Sequence, residues 1–271
     1  MVSYEQDVQN IITLVKQAGH DIMEIYHSDY DIRMKDDQSP VTQADLISEK
    51  TLLEGLQGSS HGIISEEAGI RSGTSDLYWV IDPLDGTKDF IQKTGEFSIM
   101  VGLLDHDHPV LGVVYAPALD TLWYAYEGGG AFVNHKGKQQ PITVSKEDTL
   151  SKYRLVISRN HFRQEDKDVA DQLGITTFTK MGSVGIKYAT LAEGKAELCI
   201  YTTGFLGLWD CCAPHAILRE AGGEVFDVDG GDPTYDLSTK KMARGFIGTN
   251  GKHTDEVLSI LKTMCSPSDT S

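Results

Sequence analysis

Asp82 and Asp85 stand three residues apart in the segment Trp79-Val80-Ile81-Asp82-Pro83-Leu84-Asp85-Gly86-Thr87. An apolar run leads straight into two carboxylates, and Pro83 and Gly86 predict a tight turn there. Such a turn aims both carboxylates and a backbone carbonyl at one point. A hard cation such as Mg²⁺ takes oxygen ligands and is held by few carboxylates plus substrate phosphate, so this spacing suits it. A solvated surface turn built from the same residue types is the competing reading of the segment alone.

Three further acidic features bear on that choice. Ile63-Ile64-Ser65-Glu66-Glu67 is a second apolar run that ends in adjacent carboxylates. Asp45 follows Pro40-Val41-Thr42-Gln43-Ala44 at the start of an expected helix, and Asp210 follows Trp209 at the start of another. Taken singly, Asp45 and Asp210 read as helix caps, each worth about 1 kcal/mol. Carboxylates at the ends of two apolar strands are harder to explain that way, because clustering them is repulsive unless a cation neutralises the charge.

The elements that must position these residues are legible in outline. Residues 5–27 carry Ile11, Leu14, Val15, Ala18, Ile22 and Ile25 at three- and four-residue steps, the pattern of an amphipathic helix. A second helix is predicted over 42–56. Short apolar runs at 62–65, 78–81, 97–104, 109–115, 122–126 and 131–133, separated by Gly, Pro and Asp, predict the strands of one sheet. The polar stretch 145–152 reads as a connector. Beyond it, strands at 153–157, 198–201, 224–228 and 245–248 are interspersed with helices at 165–173, 184–193, 208–221 and 254–264. Gly194 and the pair Gly222-Gly223 are the stop signals of two of those helices. The pattern predicts two packed subdomains. An α+β half over 1–150 carries most of the acidic candidates, and an α/β half over 151–271 carries Asp210. The tail after Cys265 is expected to fray.

Composition narrows the class. The chain has 271 residues, 40% hydrophobic and 24% charged, which is ordinary for a globular protein. It lacks the roughly 20 unbroken apolar residues of a membrane span. Its first residues lack the basic and apolar regions of a signal peptide, so a cytoplasmic location is expected. A net charge of −16 disfavours nucleic acid and anionic lipid as partners and points to a small molecule. An anionic substrate must then be drawn in by bound metal and a few placed Lys or Arg. Cys199, Cys211, Cys212 and Cys265 form no C-x-x-C pair and are expected to be reduced, structural thiols.

Taken together, the segment 79–87, the upstream Ser65-Glu66-Glu67, and the downstream Trp209-Asp210 with Ala213 and Ala221-Gly222-Gly223 resemble the lithium-sensitive, Mg²⁺-dependent phosphatase superfamily. That group includes inositol monophosphatases, fructose-1,6-bisphosphatases and 3′(2′),5′-bisphosphate nucleotidases. The resemblance runs from the first helix to the strand ending near Asn250. It implies a layered α-β-α-β-α sandwich and two or three Mg²⁺ ions per site. It further implies that Glu66 and the Leu84 carbonyl bind a first metal, that Asp82 bridges to a second, and that Asp85 and Asp210 complete the second. Li⁺ would replace Mg²⁺ at the Asp82, Asp85 and Asp210 site. With no Ser, Cys or His in a nucleophile motif, direct attack by water is the simpler chemistry. Thr87 and Asp45 resemble the family's proton-accepting pair, which would orient and deprotonate that water. The other role open to Asp45 is as ligand of a third metal, with Glu67 in support.

The substrate class follows from finer resemblance. Thr87 is followed by Lys88-Asp89-Phe90, similar to bisphosphate nucleotidases of the CysQ type, where inositol monophosphatases carry Thr-Asn-Phe. Ile157-Ser158-Arg159-Asn160-His161 and Gly182-Ser183-Val184-Gly185-Ile186-Lys187 fall where the family places substrate-binding residues. The stretch from Tyr201 to Phe205 lacks the acid that inositol monophosphatases use to bind inositol hydroxyls. The expected reaction is hydrolysis of 3′-phosphoadenosine 5′-phosphate to AMP and phosphate. Gly86, Thr87, Gly182, Ser183 and Lys187 would contact substrate, Lys187 holding the 5′-phosphate. Gly182-Ser183 also reads as a plain helix N-cap, Lys88 and Lys187 as surface lysines, and His161 as a loop residue. An inositol or sugar phosphate phosphatase is the enzyme alternative, and a non-catalytic sensor of nucleotide or metal is the alternative of another class. Oligomeric state is not readable from the chain.

Overall fold

The computed structural model describes residues 4–35, 40–202 and 206–265, the side chain of Cys265 excepted. Residues 203–205 of the acid-free stretch and the tail after Cys265 lie outside that description. Helix α1 (Glu5–Tyr26) buries Val8, Ile11, Val15, Ala18 and Ile22 along one stripe. A hairpin of β1 (Ile32–Met34) and β2 (Pro40–Thr42) follows. Thr42 then caps α2 (Gln43–Gly55), its hydroxyl oxygen accepting the Ala44 N–H at 3.1 Å. Helices α1 and α2 pack on each other and on one face of an eight-stranded sheet.

In chain order that sheet comprises β3 (Gly62–Ser65), β4 (Gly69–Arg71), β5 (Leu77–Asp85), β6 (Ser98–Asp105), β7 (His108–Ala116), β8 (Thr121–Tyr126), β9 (Gly130–His135) and β10 (Lys138–Pro141). Its pairs are antiparallel except β3 with β5. The tight turn expected at Asp82–Asp85 is instead a bulge within β5, where the register against β6 shifts. Pro83 has no N–H to offer the ladder, so the strand kinks there without ending. Gly86 then adopts φ 91° and opens the short helix α3 (Thr87–Ile91).

The second sheet runs β12-β11-β13-β15-β14, from β11 (Arg154–Ser158), β12 (Thr177–Met181), β13 (Leu198–Tyr201), β14 (Glu224–Phe226) and β15 (Phe246–Thr249). Helices α5 (Val184–Ala192) and α6 (Leu208–Glu220) lie between the two sheets, while α4 (Gln164–Gln172) and α7 (Thr254–Cys265) cover the far face. Three apolar clusters among the described residues fill the spaces between these five layers, the middle one drawing on Met100 and Val114 as well as Val156 and Cys199. This is the layered α-β-α-β-α sandwich.

One packing detail fixes the approach of α6. Gly102 and Gly112 are cross-strand partners in β6 and β7. A Cβ on Gly102 would lie 2.5 Å from the Cys212 Sγ, and one on Gly112 would lie 2.2 Å from the Ala213 carbonyl oxygen. The paired glycines leave a trough that only a bare backbone provides, and α6 rests in it.

Candidate metal centre and substrate cavity

Two layers deliver carboxylates to one point. Asp82, Asp85 and Asp210 each bring an oxygen within 4.8 Å of the others. Asp82 and Asp85 are buried on either side of the β5 bulge, and the Leu84 N–H donates to Asp82 Oδ1 at 3.0 Å. Asp210 sits in the first turn of α6, where its Oδ2 accepts the Gly207 N–H at 2.6 Å. Capping and membership of the cluster are thus one arrangement, since the cap aims the carboxylate. Asp85 is held from the start of α5: it accepts the Ser183 hydroxyl, and the Gly185 N–H donates to its Oδ2 at 3.0 Å. Ser183 is the N-cap of that helix as well, accepting the Ile186 N–H at 3.1 Å.

The electrostatics call for a cation. Burial pushes the Asp82 carboxyl well above the ordinary range, and the Glu66, Asp85 and Asp210 carboxylates push it further. Burial does the same to Asp210, reinforced by Asp85 and Glu66. Burial also raises Asp85, opposed by the Lys187 ammonium and the Ser183 hydroxyl. Glu66, at the end of β3, is raised by burial to about 7 in spite of the Lys35 ammonium, whose Nζ reaches its Oε1 at 2.8 Å and also pairs with Glu67. Buried carboxylates crowded together with only oxygen donors on offer fit a divalent metal ion, whose charge relieves the repulsion.

Thr87 and Asp45 do meet. The Thr87 hydroxyl lies 3.1 Å from Asp45 Oδ1 and 3.2 Å from the Leu84 carbonyl oxygen, so it has two acceptors for one proton. The other oxygen of Asp45 accepts the Thr42 N–H and hydroxyl, both at 2.8 Å. Burial raises the Asp45 carboxyl, and the hydrogen bonds from Thr42 and Thr87 pull it back.

A cavity of about 460 Å³ opens beside these groups. Glu66, Asp85, Gly86, Thr87 and Asp210 line it, with Gly182 on the wall. Lys88, Asp89, Ser158, Asn160 and His161 are the polar remainder, with Lys88 Nζ 2.9 Å from His161 Nε2. Burial lowers the His161 pKa and the Lys88 ammonium lowers it further. His161, set aside as a loop residue by sequence, is therefore part of the cavity wall, as the run Ile157–His161 foreshadowed.

Lys187 is not on that wall, and the role expected for it needs correcting. It is fully buried, and its ammonium donates to the carbonyl oxygens of Gly182 at 2.6 Å and Met181 at 3.3 Å. One turn beyond Ser183, it faces inward along α5 and serves Asp85 as a buried counter-ion. Lys35 gave no signal in the sequence, since a lone lysine before Asp36-Asp37 looks like an exposed charge.

Residues 4–264 match the model of the inositol monophosphatase family. A protein named 3′(2′),5′-bisphosphate nucleotidase CysQ from Aggregatibacter actinomycetemcomitans is 33% identical over 249 residues, 90% of this chain and 90% of that one. The protein of the same name from Escherichia coli strain K12 is 34% identical over 250 residues, 88% of this chain and 98% of its own. Among solved structures, a Thermotoga maritima IMPase superposes with a TM-score of 0.83 at 26% identity, covering 95% of this chain and 97% of that one. A CysQ from Bacteroides thetaiotaomicron gives 0.79 at 27% identity, covering 92% and 98%. With the carboxylate cluster, the layered fold and these relatives in agreement, the chain belongs to the inositol monophosphatase family.

Proposed function

We propose that the chain is a Mg²⁺-dependent phosphomonoesterase that hydrolyses 3′-phosphoadenosine 5′-phosphate to AMP and phosphate. The observation that carries the reading is the buried carboxylate cluster beside a cavity that Lys88 also lines. The nucleotidase name of the relatives at 33–34% identity supports the same substrate class. Glu66, Asp82, Asp85, Asp210 and the Leu84 carbonyl are the residues that would hold two or three ions. Bound there, Mg²⁺ supplies charge neutralisation at the phosphoryl oxygens and acidifies water.

The chain's own residues do the rest. Asp45 accepts the Thr87 proton, which leaves the Thr87 oxygen free to accept one from the attacking water. Thr42 holds Asp45 in place by two hydrogen bonds to its second oxygen. Ser183 and the Gly185 N–H hold Asp85, and Lys187 balances its charge from behind. Gly86 and Gly182 let backbone approach the phosphate end of the cavity. Among the described residues lining the cavity, Lys88 is the only Lys or Arg, so it takes the part of second-phosphate ligand that was expected of Lys187. The halves 1–150 and 151–271 act as two subdomains that share a core and meet at this cavity.

The test is phosphate release with and without Mg²⁺ by the wild type and by Asp82→Asn. Wild-type activity that needs the metal, and its loss in a folded Asp82→Asn, are the expected results. Full activity of the variant would sink the metal assignment.

A further inference from the structure

The cavity is made by two parts of the chain that meet at a seam. Lys88 belongs to α3, next to the metal bulge. Ser158 ends β11, and Asn160 and His161 belong to the loop that leaves it. Arg159 opens that loop, does not line the cavity, and crosses the seam. Its Nε lies 3.3 Å from Asp89 Oδ1, and its Nη2 donates to Glu96 Oε2 at 2.6 Å and to the Lys180 carbonyl oxygen at 3.3 Å.

Both partners are committed to the same seam. Asp89 is fully buried and also accepts Asn160 Nδ2 at 2.6 Å and the Thr94 hydroxyl at 2.9 Å. Gly182 closes over it so tightly that a Cβ there would lie 2.3 Å from the Asp89 Cγ. Glu96 accepts the Gly182 N–H at 2.9 Å on its carboxylate and the Ser183 N–H at 3.2 Å on its backbone oxygen. The clamp therefore reaches the start of α5, which holds Asp85.

Sequence adjacency makes the clamp consequential. Lys88 immediately precedes Asp89, and Asn160-His161 immediately follow Arg159. The clamp thus registers the two side chains that stand 2.9 Å apart on the cavity wall. We infer that Arg159 is a positioning residue: by clamping Asp89 and Glu96 it holds Asn160 and His161 against Lys88, and so shapes the part of the cavity that takes an ester's second anionic group. The inference rests on the nucleotidase reading above and deepens it. A monoester without the second anion does not use that part of the cavity and is indifferent to the clamp.

The experiment compares 3′-phosphoadenosine 5′-phosphate with adenosine 3′-monophosphate, which differs only in lacking the 5′-phosphate. Wild type, Arg159→Gln and Arg159→Lys are assayed with Mg²⁺. Arg159→Gln is expected to raise KM for the bisphosphate about tenfold or more, within the range that small misplacements cause. Its kcat on either ester and its KM for the monophosphate stay within about twofold of wild type, by the same argument. Arg159→Lys, which keeps a charge but not the fork, recovers part of the loss. Should Arg159→Gln not fold, Glu96→Gln removes one arm of the clamp, and the same KM shift is expected. An unchanged KM for the bisphosphate, or equal losses on both esters, overturns the inference while the nucleotidase reading stands. A wild type that does not favour the bisphosphate overturns both.

Discussion

Thr87 and Asp45 show how much one hydroxyl can be asked to do. The Thr87 proton has Asp45 on one side and the Leu84 carbonyl on the other, so the oxygen's lone pairs are left for water. Thr87→Ala is expected to lower kcat by about 100-fold or more, in line with the loss of a general base, with KM little changed. Thr87→Ser, which keeps the hydroxyl, is expected to retain most of the rate. Single-turnover phosphate release checks both, and an Ala variant as fast as wild type removes Thr87 from the chemistry. At this scale Asp82, Asp85 and Glu66 stood out as carboxylates at the ends of apolar runs, whereas Asp45 and Asp210 read singly as helix caps and took a site role only from the resemblance. Lys187 was legible as a cation but not in its orientation, since four residues beyond Ser183 on an all-buried helix it turns inward, toward Asp85. Arg159 was quoted within a motif, yet its partners Asp89 and Glu96 lie more than 60 residues away, and no local pattern connects them.

Elements place these side chains through their ends. Asp45 and Asp210 each occupy the first turn of a helix, where a backbone N–H takes one carboxylate oxygen and orients the group. The approach of α6 depends on the Gly102 and Gly112 trough. Gly112→Ala pushes a methyl into the Ala213 backbone and is expected to cost about 1–3 kcal/mol, as overpacking does. Urea unfolding measures that loss, and Mn²⁺ titration is expected to show weaker binding because Asp210 moves with the helix. Unchanged stability and metal affinity would mean that α6 is seated by other contacts. The longer elements were readable because each buries a stripe or a face at its own period. The three-residue strands β1, β2 and β4 were not readable, because they are too short to show a period, and β1 and β4 are largely exposed. The strand β5 was read as ending before the carboxylates, whereas pairing with β6 carries it through them.

The whole molecule is five layers around three apolar clusters, and that order followed from the alternation of elements once the resemblance was in hand. A buried group in the middle layer opposes folding in acid. His215 on α6 is fully enclosed, its Nδ1 2.9 Å from the Tyr235 hydroxyl, and its Nε2 has no hydrogen-bond partner among the described residues. Burial drives its pKa down to about 3, and Arg219 and His108 add to the effect. The unfolded chain binds that proton near pH 6.5, so the His215 contribution to stability is full above about pH 6.5 and falls with pH toward about 3. Between about pH 6.5 and pH 4.5 the loss is on the order of 2 kcal/mol. His215→Gln is expected to flatten the dependence of Tm on pH in that window. An unchanged slope would show that other groups govern acid unfolding.

The net charge of −16 makes substrate capture a local matter, resting on the cation that the carboxylate cluster would hold and on Lys88 in the cavity lining. The most direct measurement is phosphate release with Mg²⁺ from 3′-phosphoadenosine 5′-phosphate and from inositol 1-phosphate, at equal concentrations and side by side. A large preference for the nucleotide is the predicted result. A preference for inositol 1-phosphate would contradict the substrate assigned to the cavity that Lys88 lines while leaving the carboxylate centre intact.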